Sequence, residues 1–134
     1  MLITRETDYA MRTVRALSGG KRLNIKQICE IENIPIQFAY KILKKLSEKN
    51  IIKIIRGAGG GYCLEADLNT LTMYDILMAI ENESDYNSVN LCLKDGVSCV
   101  HNSDGKHCKM NKEFRRINSV LKEELRRVPF IEFI

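Results

Sequence analysis

The chain has 134 residues, 45% of them hydrophobic and 28% charged, with 2 prolines and no tryptophan. That length suits one compact domain, and that composition excludes a mostly disordered chain. No apolar run reaches the ~18–20 residues of a membrane span, and the charged N-terminal segment lacks the apolar stretch of a secretory leader, so the expected location is the cytoplasm with no membrane partner.

The net charge of +4 is unevenly spread. Residues 1–65 hold 12 Lys/Arg against 6 Asp/Glu, whereas residues 66–134 hold 9 against 11. A basic front half joined to a slightly acidic back half points to a polyanion-binding module with a further part attached. An unevenly charged solvated surface is the plainer alternative at this stage.

Thr4 to about Ser18 reads as a helix. Tyr9, Ala10, Thr13, Val14 and Leu17 recur at three- and four-residue steps, and Thr4 is a fitting N-cap with Glu6 and Asp8 in the positively poled first turn. Asn24 precedes a second, shorter helix with Ile25, Ile28, Cys29 and Glu32 on one face. Asn33-Ile34-Pro35 breaks it. A third helix runs from Pro35 or Ile36 to Asn50, burying Phe38, Ala39, Ile42, Leu43 and Leu46. Its opposite face carries Gln37, Tyr40, Lys41, Lys44 and Lys45. Two helices joined by so short a turn have helix-turn-helix spacing, and a basic second helix with amide and phenol groups suits a major groove. An ordinary helical hairpin with a solvated lysine face would share those features. On charge and helix face, Lys41 and Lys44 are the candidate phosphate contacts.

The β-branched run Ile51–Ile55 reads as a strand, Arg56–Gly61 as a tight glycine-rich turn, and Tyr62–Leu64 as the returning strand. A hairpin directly after a helix-turn-helix is a wing. Arg56, with Gly57 beside it, can enter a narrow minor groove, where negative potential is enhanced. A phosphate-binding loop is excluded, because no helix with Lys-Ser/Thr follows the glycines. Thr72 caps a fourth helix over Met73–Glu81. Residues 82–106 lack a period and read as a long loop. From about His107 to Arg127 the helical period returns, with a stripe of Met110, Phe114, Ile117, Val120, Leu121, Leu125 and Val128 that marks a long helix. The stripe is long for a monomer to cover, so a homodimer is expected. The apolar tail from Pro129 is expected to pack on a partner or an adjacent helix.

The fold class is thus mainly α with a small β wing, a winged helix-turn-helix plus a long C-terminal dimerisation helix. The expected division is 1–66 for the DNA-binding region, and 67–134 for a helix, a cysteine loop (about 82–108) and the dimerisation helix of the same compact unit.

Of five cysteines, Cys29 and Cys63 are isolated and read as small buried hydrophobes. Cys92, Cys99 and Cys108 crowd together, with six and eight residues between successive members. Reduced clustered thiols suggest metal or redox chemistry. Zinc fingers prefer closely spaced pairs, which are absent, while spaced thiolates suit an iron–sulfur cluster. Zinc, a reversible disulfide switch and stray loop thiols stay open on spacing alone.

The segment Thr7-Asp8-Tyr9-Ala10-Met11-Arg12, the wing Arg56-Gly57-Ala58-Gly59-Gly60-Gly61-Tyr62 and the three spaced cysteines together resemble one bacterial family. It is the family of small winged-helix transcription regulators that includes IscR, NsrR and CymR. The resemblance covers nearly the whole chain. It implies a homodimer on double-stranded DNA, with Gln37 and Tyr40 where members read bases and Arg56 where a wing arginine enters the minor groove. It further implies that Cys92, Cys99 and Cys108 hold an iron–sulfur cluster. Asp8 of the other subunit matches the fourth ligand of NsrR-like members, which favours [4Fe–4S] over [2Fe–2S]. The position of the histidine ligand in IscR-like members is Asn111 here, and His101 and His107 do not fit the family pattern. The gaps between cysteines are longer than is common in the family. The implied function is a cluster-based sensor of iron–sulfur, redox or nitric-oxide status, acting as a repressor or activator. A cluster-free regulator controlled by thiol oxidation or a partner protein is the alternative. A metal-binding enzyme or electron carrier would leave the wing idle and shows no acid–base constellation.

Overall fold

The computed structural model describes residues 3–81, 99–101 and 108–134. Helix α1 spans Arg5–Ala16, α2 Ile25–Glu32, α3 Ile36–Glu48, α4 Met73–Ile80 and α5 Lys109–Arg127; strands β1 (Ile52–Ile55) and β2 (Gly61–Leu64) lie between α3 and α4. The chain is mainly helical, with the two strands paired antiparallel, Ile52 opposite Leu64 and Ile55 opposite Gly61. Among the described residues, no helix is long and apolar enough to cross a membrane.

Local chemistry starts three of these helices. The Thr4 hydroxyl accepts from the Thr7 amide. Asn24 and Gln27 form a reciprocal capping box, as do Thr72 and Asp75. Each cap satisfies amides that the first helical turn leaves without an internal partner. Asn33, at φ 53°, takes the left-handed conformation that ends α2, and Pro35 then opens α3.

The core lies where α1, α3 and α4 meet, with α2 and the wing against its edges. Val14, Leu17, Ile28, Ile42, Leu43, Leu46, Ile52 and Ile76 are all essentially sealed from solvent. Each such side chain contributes about 1.5–3 kcal/mol by leaving water. Leu23 joins the wing from outside it. Its amide donates to the Tyr62 carbonyl at 3.0 Å and its carbonyl accepts from the Tyr62 amide at 2.8 Å. The wing is thereby stitched to the start of α2.

Helix α5 packs on α4 through Leu125, beside Tyr74, Leu77 and Met78, with the Arg126 guanidinium 3.7 Å from the centre of the Tyr74 ring. The C-terminal tail folds back on its own chain. The Phe130 amide donates to Leu71 at 2.7 Å, the Ile131 amide donates to Leu68 at 3.1 Å, and Phe130 is buried. Cys29 and Cys63 are half-buried rather than sealed. Burial, with Glu30 nearby, pushes the Cys29 thiol above its ordinary pKa, which disfavours the thiolate.

Candidate nucleic-acid interface and cysteine segment

Helix α3 turns its apolar side inward and leaves Gln37, Tyr40, Lys41 and Lys44 exposed along one side. This arrangement follows from the 3.6-residue period, which puts Ala39, Ile42, Leu43 and Leu46 on the core. The lysines differ from one another. Lys44 is 78% exposed, with Glu48 only at 4.0 Å. Lys41 donates to Glu6 Oε1 of α1 at 2.7 Å. Lys45 turns away from the exposed side: it donates to the Ile80 carbonyl at 2.7 Å and lies 3.6 Å from Glu6 Oε2. The hydrogen bond from Lys41, with further attraction from Lys45, holds the Glu6 carboxyl below its ordinary pKa against a smaller opposing effect of burial.

At the wing tip, Arg56 is exposed directly after β1. Gly57 has φ 99°, a conformation open to glycine at no steric cost, and its carbonyl accepts from the Gly60 amide at 2.9 Å. A Cβ on Gly60 would stand 2.4 Å from the Ile55 carbonyl oxygen and 2.9 Å from that of Gly57. The turn therefore closes too tightly for any other residue at that point. Arg56 and the exposed side of α3 are the two basic features that a duplex could meet together.

Asp8, in the first turn of α1, is 46% exposed and pairs with Arg12 at 3.0 Å. It lines a cleft of about 280 Å³ with Met11, Arg12, Arg15, Met73, Phe130 and Phe133. No cysteine is among those residues. Beyond the cleft, Arg15 makes a two-point pair with the buried Glu32 carboxylate, which raises the Arg15 pKa.

Of the clustered cysteines, Cys92 lies outside the described residues, as do His107 and most of the expected loop. Cys99 and Cys108 are half-buried and carry no disulfide. Cys108 takes the N-cap position of α5. Among the described residues no three Cys, His, Asp or Glu side chains gather into a metal-holding group. Cys99 and Cys108 are thiols of the right chemistry for iron, and Asp8 is engaged with Arg12. Asn111 is buried, and its side-chain oxygen accepts from Arg115 Nε at 2.9 Å. That oxygen is engaged within α5.

Sequence reasoning missed two features here, the anchoring of Lys45 on Ile80 and the sharing of Glu6 between two lysines. The i, i+4 spacing of Lys41 and Lys45 was a signal for one shared acidic partner. Nothing in the sequence pointed to Glu6.

The model of the Rrf2 family, described as iron-dependent transcriptional regulators, matches residues 3–134. The HTH-type transcriptional regulator NsrR of Bacillus subtilis (strain 168) is 31% identical over 103 residues, 69% of this chain and 69% of that one. Protein aau3 of Rhizobium meliloti (strain 1021) is 29% identical over 84 residues, 61% of this chain, and the match spans 54% of that relative's length. The structure of CymR, the global cysteine regulator of B. subtilis, superposes with a TM-score of 0.73 at 19% identity, covering 99% of this chain and 95% of that one. At that identity the likeness speaks for the fold, a winged helix with a C-terminal helix.

Proposed function

This chain belongs to the Rrf2 family of transcriptional regulators, and from that premise we propose that it binds DNA as a homodimer under the control of an iron–sulfur cluster. Like its relatives, it is a DNA-binding regulator of transcription and not an enzyme. Gln37 and Tyr40 read base edges, Lys41 and Lys44 contact phosphates, and Arg56 beside Gly57 enters the minor groove. Residues 1–66 form the DNA-reading part, and residues 67–134 complete the same compact unit. Packing of α1 on both α3 and α4 supports that continuity.

The observation that carries the dimer is the outer side of α5. Met110, Ile117 and Val120 are 63%, 46% and 52% exposed, an apolar stripe that stands open among the described residues. A second copy covers such a stripe by pairing like with like.

Cys92, Cys99 and Cys108 would hold the cluster, with Asp8 supplied by the partner subunit. Three thiolates are the donor type that iron–sulfur clusters take. The carboxylate of Asp8, 46% exposed on the surface of its own protomer, supports a contribution across the dimer. A bound cluster supplies a centre sensitive to iron–sulfur, redox or nitric-oxide status, with [4Fe–4S] favoured over [2Fe–2S]. Asp8 pairs with Arg12 through Oδ2 alone, which leaves Oδ1 able to serve as a ligand.

The Asp8–Arg12 pair within one protomer also favours a second reading. With Asp8 kept on Arg12, the thiols act without a cluster, through oxidation or a partner protein. Absorbance of anaerobically purified protein, with iron and sulfide assays, decides between them. The cluster reading expects a broad band near ~400 nm and about four irons per subunit, lost in Cys92→Ala and in Asp8→Ala. Colourless protein after reconstitution overturns it.

A further inference from the structure

We propose that Glu6 sets the DNA affinity of this chain by competing with backbone phosphate for Lys41. This rests on the reading of Lys41 as a phosphate contact. Glu6 projects from the first turn of α1 against the side of α3, with Oε1 accepting from Lys41 at 2.7 Å and Oε2 at 3.6 Å from Lys45. Lys45 is itself fixed on the Ile80 carbonyl, so it pins one end of the carboxylate. The other end is presented to Lys41, which stands on the exposed side of α3 beside Tyr40 and Lys44. A carboxylate so held has what a phosphate oxygen offers an ammonium group, negative charge and a hydrogen-bond acceptor. Lys41 cannot grip a phosphate at full strength until it gives up Glu6. Lys44 has no such restraint, with its nearest carboxylate at 4.0 Å. Glu6, like any ordinary carboxyl side chain, is ionised at neutral pH. The competition therefore operates under ordinary conditions.

The test is binding of a random-sequence DNA duplex, where phosphate contacts supply the affinity, across a salt series. The proteins are the full chain, Glu6→Gln, Lys41→Ala and the double variant, each checked for its fold by circular dichroism. Glu6→Gln keeps the side-chain shape and is expected to bind roughly two- to fivefold tighter, the worth of an exposed ion pair. In the Lys41→Ala background the same change is expected to have less than half that effect, because the gain passes through Lys41. Lys41→Ala alone is expected to flatten the salt dependence by about one phosphate contact. An equal gain from Glu6→Gln in both backgrounds would mean simple repulsion between a carboxylate and DNA, and would overturn the proposal. A flattened slope in Lys41→Ala with no gain from Glu6→Gln overturns the competition and leaves Lys41 as a phosphate contact. An unchanged slope in Lys41→Ala removes Lys41 from the DNA-contacting residues, and the competition falls with it.

Discussion

Lys45 of α3 donates to the Ile80 carbonyl of α4 at 2.7 Å, across 35 residues of sequence. The bond places a cation at the C-terminal end of α4, where carbonyls lack helical partners and the helix dipole is negative. The two threonines at the start of α1 fix the next residue: both Thr4 and Thr7 donate from their hydroxyls to Glu81 Oε1. The end of α4, Ile80 and Glu81, is therefore held by both α1 and α3.

Lys45→Met should lower stability by about 1 kcal/mol, as a charge-assisted bond to an otherwise unpartnered carbonyl is lost. Lys44→Met, at a highly exposed site on the same helix, should stay within about 0.5 kcal/mol of the parent. Urea unfolding of the two variants provides the comparison. Equal midpoints would show that the Ile80 contact adds nothing.

Arg15 and Glu32 form an asymmetric pair, the carboxylate side chain 8% exposed and the guanidinium 50%. Removing the cation strands a charge in poor solvent, whereas neutralising the anion lets Arg15 turn to water. Arg15→Met should therefore cost about 2 kcal/mol, and Glu32→Gln less than half as much. Thermal melts would settle the order, and a larger loss in Glu32→Gln would reverse the argument.

Glu6 gives stability a defined dependence on pH. Its pKa in the folded chain lies below the ordinary value, chiefly through the Lys41 hydrogen bond. Such a group contributes stability that is fully present above the pKa of the unfolded chain. The contribution is lost as pH falls through the lower folded value. The stability gap between the parent and Glu6→Gln should be constant near neutrality and shrink over the acid range. Unfolding free energies between about pH 7 and pH 3 would reveal a gap that fails to close.

The wing links a steric requirement to DNA affinity. A Cβ on Gly60 meets the Ile55 carbonyl at 2.4 Å, so Gly60→Ala must distort the turn that presents Arg56. Arg56→Ala removes the cation and leaves the turn intact. Both should weaken specific binding by about 1–3 kcal/mol, with helical content unchanged. Operator titration of each variant is the measurement, and retained affinity in Arg56→Ala would take the wing out of DNA recognition.

The elements that were legible in the sequence are those fixed by near neighbours. Thr4, Asn24 and Thr72 bond amides three residues on, so each cap is written within one helical turn. The wing was equally plain, β-branched residues followed by glycines that a tight turn demands. Contacts set by tertiary packing were not legible. Lys45 was expected on the exposed side with Lys41 and Lys44, because periodicity ranks a side chain by its own helix and is blind to the end of α4. Leu23 pairs with Tyr62 across the wing without any strand pattern around it. The candidate DNA contacts Gln37, Tyr40, Lys41, Lys44 and Arg56 do stand exposed as expected.

The exposed side of α5 carries the last prediction. Ile117 and Val120 lie three residues apart, on neighbouring positions of one helical face, and both stand open in the single chain. In a two-fold dimer each substitution enters the interface twice. Val120→Glu should therefore place two carboxylates in an apolar contact, where each costs several kcal/mol unless paired. Neither residue belongs to the α4 contact made by Leu125, so the monomer should keep its fold. Sedimentation is expected to show the parent as a dimer and Val120→Glu as a monomer with the same helical content. Specific DNA affinity should fall with it, since one protomer then meets one half-site. A Val120→Glu variant that sediments as the parent does would move the dimer contact off this side of α5.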